Sequence, residues 1–293
     1  MIVIFGASGQ LGCAFRELLP AGAFISLNRD QADFSKPELL SGILERIWNQ
    51  HHPLWIINAA AYTQVDLAEK EEEKALRINS ESPALLARWC ASHQIPLIHF
   101  STDYVFDGSG SIPWRENDQV HPLGAYARTK LAGENAITAS GCDYLIFRSS
   151  WIYDRTGRNF LTTMEKLGTE RESLKVVSDQ FGAPTYSIDL ARAVIQIIEV
   201  IEIRGETNFD SGVFHLCNRG ETSWNGFAQE IFNILEARGA QLKVKSVIPI
   251  SSSEYPTPAQ RPCNSRLDCR KVLESFGVAM PTWEEGLNRC LGT

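Results

Sequence analysis

The chain has 293 residues, 44% hydrophobic and 22% charged, enough for a large buried core and not the composition of a disordered chain. Its formal net charge of -7 argues against a nucleic-acid binder, because such proteins concentrate Lys and Arg to displace counterions from phosphates. No basic segment precedes an apolar N-terminal stretch and no later run stays apolar long enough to span a bilayer, so no membrane association is expected and the cytoplasm is the expected location.

In chain order, the apolar run 2–5 leads directly into Gly6-Ala7-Ser8-Gly9-Gln10-Leu11-Gly12, which opens a helix expected over 10–19. This is the context that makes a glycine motif a dinucleotide turn: one glycine for the tight turn, one for backbone approach to the pyrophosphate, one for helix–sheet packing. The helix N-terminus adds unpaired N–H groups for phosphate. The G-x-x-G-x-x-G spacing is that of the short-chain dehydrogenase variant, and an ordinary glycine turn is the bland alternative. A second strand, 24–27, ends at Asn28-Arg29-Asp30, where a carboxylate normally accepts the ribose hydroxyls of NAD and an Arg meets the extra phosphate of NADP. An amide followed by Arg29 points to NADPH, with NADH possible; a solvated surface charge is the competing reading of Arg29. Asp33-Phe34 stands where the following loop reaches adenine. Ser35 and Glu38, with Pro37 in the first turn, give a capping-box signature to a helix over 37–50.

Strands follow at 55–57, 97–100 and 144–147, separated by helices over 68–93, with a possible break at Pro83, and 126–138. The rhythm predicts an α/β fold: a Rossmann-type, doubly wound parallel sheet covered on both faces. Beyond residue 150 it loosens into loops at 179–186 and 255–262 and helices over 188–203 and 224–238. The expected division is a dinucleotide-binding domain over 1–150, with later segments returning to it, and a mainly substrate-binding, smaller mixed α/β lobe over 151–293. The seven cysteines (Cys13, Cys90, Cys142, Cys217, Cys263, Cys269 and Cys290) are odd in number and never spaced C-x-x-C, so they read as buried thiols in a reducing compartment.

Tyr126 and Lys130 lie four apart on an expected helix and project from one face. Hydride reduction of a ketone needs a proton for the developing alkoxide, and a phenol titrating near 10 is a poor donor at neutrality unless a nearby ammonium stabilises its phenolate. Thr102, at the end of a strand, is the expected hydroxyl partner. A lone Y-x-x-x-K is weak; coupled to the glycine turn and to Thr102 it describes a nicotinamide-dependent oxidoreductase.

Six words carry a resemblance: Asn58-Ala59-Ala60-Ala61-Tyr62-Thr63, Ser101-Thr102-Asp103-Tyr104-Val105-Phe106-Asp107-Gly108, Tyr126-Ala127-Arg128-Thr129-Lys130-Leu131-Ala132-Gly133-Glu134, Phe147-Arg148-Ser149-Ser150-Trp151-Ile152-Tyr153, Asp179-Gln180-Phe181-Gly182-Ala183-Pro184-Thr185 and Arg261-Pro262-Cys263-Asn264-Ser265. In order and over nearly the whole chain, the sequence resembles the dTDP-4-dehydrorhamnose reductase family of extended short-chain dehydrogenases. The resemblance implies reduction of the C4 ketone of dTDP-4-dehydro-L-rhamnose to dTDP-L-rhamnose by NAD(P)H. It implies Thr102, Tyr126 and Lys130 as catalytic residues, Gly6, Gly9, Gln10, Leu11 and Gly12 as the pyrophosphate loop, and Ala60, Ala61 and Tyr62 as the wall beside the adenosine ribose. The family usually carries His where Tyr62 stands; a ring is kept. Asp103, Tyr104 and Trp151 match positions lining the sugar pocket, with a core Trp as the alternative for Trp151. Arg261 is a candidate for the diphosphate, or a surface Arg, in a segment resembling one that closes over the nucleotide.

Some members of the family bind Mg2+ at a dimer interface through two Glu, where this chain has Ala14 and Ile188, with Glu17 and Asp189 only nearby. A structural metal is therefore not expected, and a monomer or a homodimer remains open. Two other readings share the motifs: a reductase or epimerase acting on another nucleotide sugar, separated only by the words at 102–106 and 180–185, and a non-enzymatic regulatory subunit of the methionine adenosyltransferase type, separated by the retained trio.

Overall fold

The structure is a computed structural model that describes residues 1–205 and 209–292. Strands β1 (Ile2–Phe5), β2 (Phe24–Leu27), β3 (Trp55–Asn58), β4 (Leu97–Thr102) and β5 (Tyr144–Ser149) join a later strand, Gly212–His215, in one sheet of order β2-β1-β3-β4-β5 followed by that strand. Every pairing is parallel. This is the doubly wound Rossmann-type architecture expected from the alternating pattern. Because both faces are covered, the strands carry near-continuous apolar runs whose side chains alternate between two cores. Ile4, Ile57, Ile98 and Leu145 pack with Leu11 and Phe15 of helix Gln10–Leu18 and with Leu190, Val194 and Ile197 of helix Ser187–Arg204. Val3, Phe5, Ile56, Leu97 and Ile146 face the opposite way, onto Leu40, Leu44 and Ile47 of helix Leu40–His51 and Leu86 and Cys90 of helix Ser82–His93.

The second half of the chain is shared between this sheet and a separate layer. Strand Gly212–His215 pairs with β5, whereas helix Trp224–Ala237 packs on a two-stranded sheet formed by Ser173–Val177 and Ser246–Ile250 and against helix Phe160–Glu170. Asn159 ties the layer to the glycine turn: its Nδ2 donates to Gln10 Oε1 at 3.2 Å while its Oδ1 caps the helix by accepting from Thr162 N at 3.1 Å.

Two local expectations are corrected. Ser35 does not cap a helix, because its hydroxyl is taken by Asp33 Oδ1 at 2.8 Å; the chain forms a short 3-10 turn at Pro37–Leu39 and the helix begins at Leu40. The stretch around Pro83 does not break either. The backbone widens into a π-helical turn over Arg77–Glu81, and Pro83 falls in the first turn of the helix that follows, where its missing N–H costs no bond. Of the cysteines read as buried, Cys13 and Cys263 are exposed.

Candidate active site

In an α/β sheet the chain leaves β1 in opposite directions toward β2 and β3, which opens a crevice beyond their carboxyl ends. Polar side chains are buried at those ends: Asn58, His99, Ser101, Thr102 and Arg148. Buried polar groups survive only when hydrogen-bonded, so their concentration here marks a constructed site.

The glycine turn is shaped as its spacing suggests. Gly6 has φ +82, and a Cβ there would lie 2.5 Å from Ala60 N; a Cβ on Gly12 would lie 2.2 Å from the Gly6 carbonyl oxygen. Gly9 has ordinary extended dihedrals and leaves the helix N-terminus without a side-chain cap, so N–H groups of the first turn are available to an anion. Beside it lies a cleft of about 270 Å³ that collects Gly6, Gly9, Arg29, Asp33, Phe34, Ala60, Ala61 and Tyr62. The remaining candidates stand elsewhere. Leu11 belongs to the core, Gly12 lies against the turn, Gln10 accepts from Asn159, and the Asn28 oxygen caps its own turn by accepting from Asp30 N at 2.9 Å. Burial pushes the Asp33 carboxyl up, but hydrogen bonds from Ser35, with the charges of Arg29 and Lys36, outweigh it and hold Asp33 below the usual carboxylate range.

Two residues, one lining this cleft and one buried behind its wall, escaped the sequence reading. Lys74 lines it, with Nζ 5.7 Å from the Tyr62 ring centroid and 2.8 Å from Glu71 Oε2. Asn79, carried on the π-helical turn, accepts from Tyr62 N at 2.8 Å and donates to Tyr62 O and Thr129 Oγ1, both at 3.1 Å. It fastens the cofactor-side wall to helix Ala125–Thr138. Only a fold that brings residues 62, 79 and 129 together reveals that clamp.

On that helix, Tyr126 lies one turn before Lys130, which reaches the Phe100 carbonyl of β4, and Thr102 at the end of that strand is buried with its hydroxyl donating to Asp103 Oδ1 at 3.2 Å. Burial pushes Tyr126 up to about 12, with the Thr102 hydroxyl holding it partly down and Asp103 adding to the rise. The pull expected from Lys130 is thus not what governs the phenol in this arrangement. Lys130 is itself buried: desolvation lowers it to about 8 against an opposing effect of Glu134, and Nζ lies 2.6 Å from Phe100 O and 3.2 Å from His99 Nε2.

A second cavity, of about 880 Å³, is lined by Tyr104, Phe160, Gln180, Trp224, Tyr255 and Arg261 among others. Val65 and Tyr104 also line a small space beside Tyr126, together with Ala259, Gln260 and Pro262. Arg261 is anchored by Asp66 at 2.8 Å and keeps Nη1 without a protein partner. Trp151 stacks on Trp224 at 3.6 Å between centroids, against Gly182, and Trp224 is the ring that lines the cavity. Trp151 also adopts φ +48, a conformation that bulky residues hold only when their surroundings impose it.

Asp103 is 2% exposed, and burial raises its carboxyl to about 7 despite hydrogen bonds from Ser265 and Thr102. A folded-state value above the unfolded one means the native state binds the extra proton, so this group makes stability fall as pH rises from about 4 to about 7. Asp103→Asn should therefore unfold at higher urea than the parent above pH 7, by a few kcal/mol. The advantage should vanish near pH 4; a pH-independent difference would refute the assignment.

Ala14 and Ile188, where some relatives are expected to hold Mg2+, are both buried in the core, and Asp189 Oδ2 accepts from Arg289 at 2.7 Å and Asn218 at 3.0 Å. Among the described residues no three His, Cys, Asp or Glu are grouped to hold a metal ion, and no helix is long and apolar enough to cross a membrane.

The RmlD substrate binding domain model matches residues 1–293. The chain is 40% identical to dTDP-4-dehydrorhamnose reductase of Burkholderia thailandensis, covering 99% of this chain and 97% of that one. It is 40% identical to the Salmonella typhimurium enzyme, covering 99% and 96%. Its fold superposes on the crystal structure of a dTDP-4-dehydrorhamnose reductase from Clostridium acetobutylicum with TM-score 0.87 at 36% identity, covering 99% and 98%. A Bacillus anthracis dTDP-4-dehydrorhamnose reductase in complex with NADP gives TM-score 0.86 at 33% identity, with 99% and 98% covered. Matched from end to end in both sequence and fold, the chain belongs to the dTDP-4-dehydrorhamnose reductase family.

Proposed function

We propose that the protein reduces the C4 ketone of dTDP-4-dehydro-L-rhamnose to dTDP-L-rhamnose with NADPH, with Thr102, Tyr126 and Lys130 as its catalytic residues. One observation carries the reading: Tyr126 and a buried Lys130 share one helix beside the Thr102 end of β4, in a chain that also has a cleft at its glycine turn and a large cavity bearing a free guanidinium N–H. The uncapped helix start and the crowded Gly6 and Gly12 fit a pyrophosphate, and Arg29 and Lys74 fit a 2′-phosphate.

When bound, the nicotinamide supplies hydride to the carbonyl carbon. Thr102 and Tyr126 orient the carbonyl oxygen between their hydroxyls, and the Tyr126 proton passes to that oxygen as negative charge develops on it. The phenolate left behind is stabilised by Lys130 in its ammonium form. In the cavity, Arg261 Nη1 donates to the diphosphate, while Trp224 and Phe160 offer apolar faces to the sugar and base.

The test is NADPH consumption when the purified protein meets dTDP-4-dehydro-L-rhamnose generated in situ, with NADH in parallel. Oxidation yielding dTDP-L-rhamnose supports the reading; silence despite dinucleotide binding would exclude it. Arg29→Ala should raise the KM for NADPH about tenfold, equivalent to one charge-assisted hydrogen bond of about 1.4 kcal/mol, and leave that for NADH unchanged. Equal effects on both cofactors would remove Arg29 from the phosphate.

A further inference from the structure

Behind Lys130 runs a buried chain of side chains that the proposed mechanism does not use. Asn58 is the last residue of β3, and its Oδ1 accepts from Ala60 N at 3.1 Å. That bond decides which end of the amide is which, so Asn58 Nδ2 faces His99 Nδ1 at 3.0 Å. An amide nitrogen only donates; Nδ1 must therefore accept. His99 is fully buried, and desolvation above all drives its titration well below the usual range, so the ring is neutral and, with Nδ1 accepting, its one proton sits on Nε2. Nε2 lies 3.2 Å from Lys130 Nζ. An ammonium has no acceptor, so Nε2–H and a charged Lys130 would present two donors to each other, whereas a neutral amine accepts the proton and still donates to Phe100 O at 2.6 Å.

We propose that His99 is a positioning residue for Lys130: Asn58 fixes the ring with its proton on Nε2, and that N–H claims the lysine lone pair. The inference rests on the reductase reading for its consequence in turnover, although the ring geometry stands apart from it. The other groups facing Lys130 are Glu134 on the same helix, paired with Arg148 from β5, and Tyr126 one turn back. His99 is thus the contact that favours the amine, opposing the carboxylate that favours the ammonium. The balance leaves Lys130 able to change protonation near neutrality, where a fully engaged ammonium would not.

Two measurements decide it. In protein carrying ¹⁵N-labelled histidine, long-range ¹H–¹⁵N spectra should show His99 protonated on Nε2, and Asn58→Asp, whose carboxylate accepts from Nδ1, should move the proton there. In kcat/KM profiles for ketone reduction, activity falls as pH rises through the Lys130 titration, near 8. His99→Gln and Asn58→Asp each let an acceptor face Nζ and should move that fall upward by about one pH unit. A parent ring protonated on Nδ1, or an unmoved basic limb in a folded variant, would overturn the proposal. Absence of turnover in the parent would sink the reductase reading alone; the ring tautomer and the Lys130 ¹³Cε titration would then decide the positioning role in the same way.

Discussion

Tyr126→Phe is expected to lower kcat by about 10²–10⁴-fold, the usual loss when a positioned proton donor is removed, while dinucleotide binding stays within about twofold of the parent. The substitution keeps the ring and its edge-on contact with Tyr104, at 6.0 Å between centroids, and deletes only the hydroxyl. A phenol pushed up to about 12 is fully protonated at neutral pH, so the parent always has its proton to give. Thr102 is no substitute donor, since an alcohol is far less acidic than a phenol. Steady-state turnover with saturating NADPH, beside a fluorescence titration of the dinucleotide, separates chemistry from binding. Near-normal kcat would remove Tyr126 from the proton transfer and turn attention to Asp103, the neighbouring group with a titration near 7.

Arg148→Met should cost about 3–5 kcal/mol of folding stability, measured by urea denaturation at pH 7. Arg148 and Glu134 are both buried and paired twice, Nε to Oε1 at 3.0 Å and Nη2 to Oε2 at 2.6 Å, with Ser101 donating to the same carboxylate. Removing the guanidinium leaves a buried carboxylate with the Ser101 hydroxyl as its one remaining hydrogen bond and only the unbonded charge of Lys130 nearby. Its charge must then be carried uncompensated or neutralised by a proton, and either is costly. Arg148→Met combined with Glu134→Leu should recover much of the loss, because the unpaired charge is gone while the volume is kept. A single variant within about 1 kcal/mol of the parent, or a double variant no better than the single, would contradict this account. The pair also seats helix Ala125–Thr138 on the sheet one turn beyond Lys130, so the single variant should lose activity as well.

Much of this was legible in the sequence because the relevant signals are local. The runs at 2–5, 24–27, 55–57, 97–100 and 144–147 are apolar on both sides of the chain, as only a doubly covered sheet requires. Gly6 and Gly12 announced a turn too tight for side chains, and the spacing of Tyr126 and Lys130 put both on one helical face. The misses share a cause. Ser35 carried a cap signature, but its hydroxyl had a better acceptor in Asp33 two residues away. The Asn28 oxygen also caps its own turn, a contact that its position after β2 did not announce. Trp151 was read as pocket lining or core, and its stacking partner Trp224, 73 positions later, lines the cavity without any local signal having announced it.

What the sequence determined by itself was the class of fold, the tight glycine turn and the candidates for the reacting groups, since each rests on periodicity or on spacing within a single element. What tertiary structure alone decided was which groups surround them. Asn79 clamping residue 62 to residue 129, His99 standing between Asn58 and Lys130, and Arg261 held by Asp66 all join segments far apart in the chain. Those contacts set proton positions and titration through desolvation and hydrogen bonding. Both depend on distance and burial in three dimensions, which no local pattern encodes.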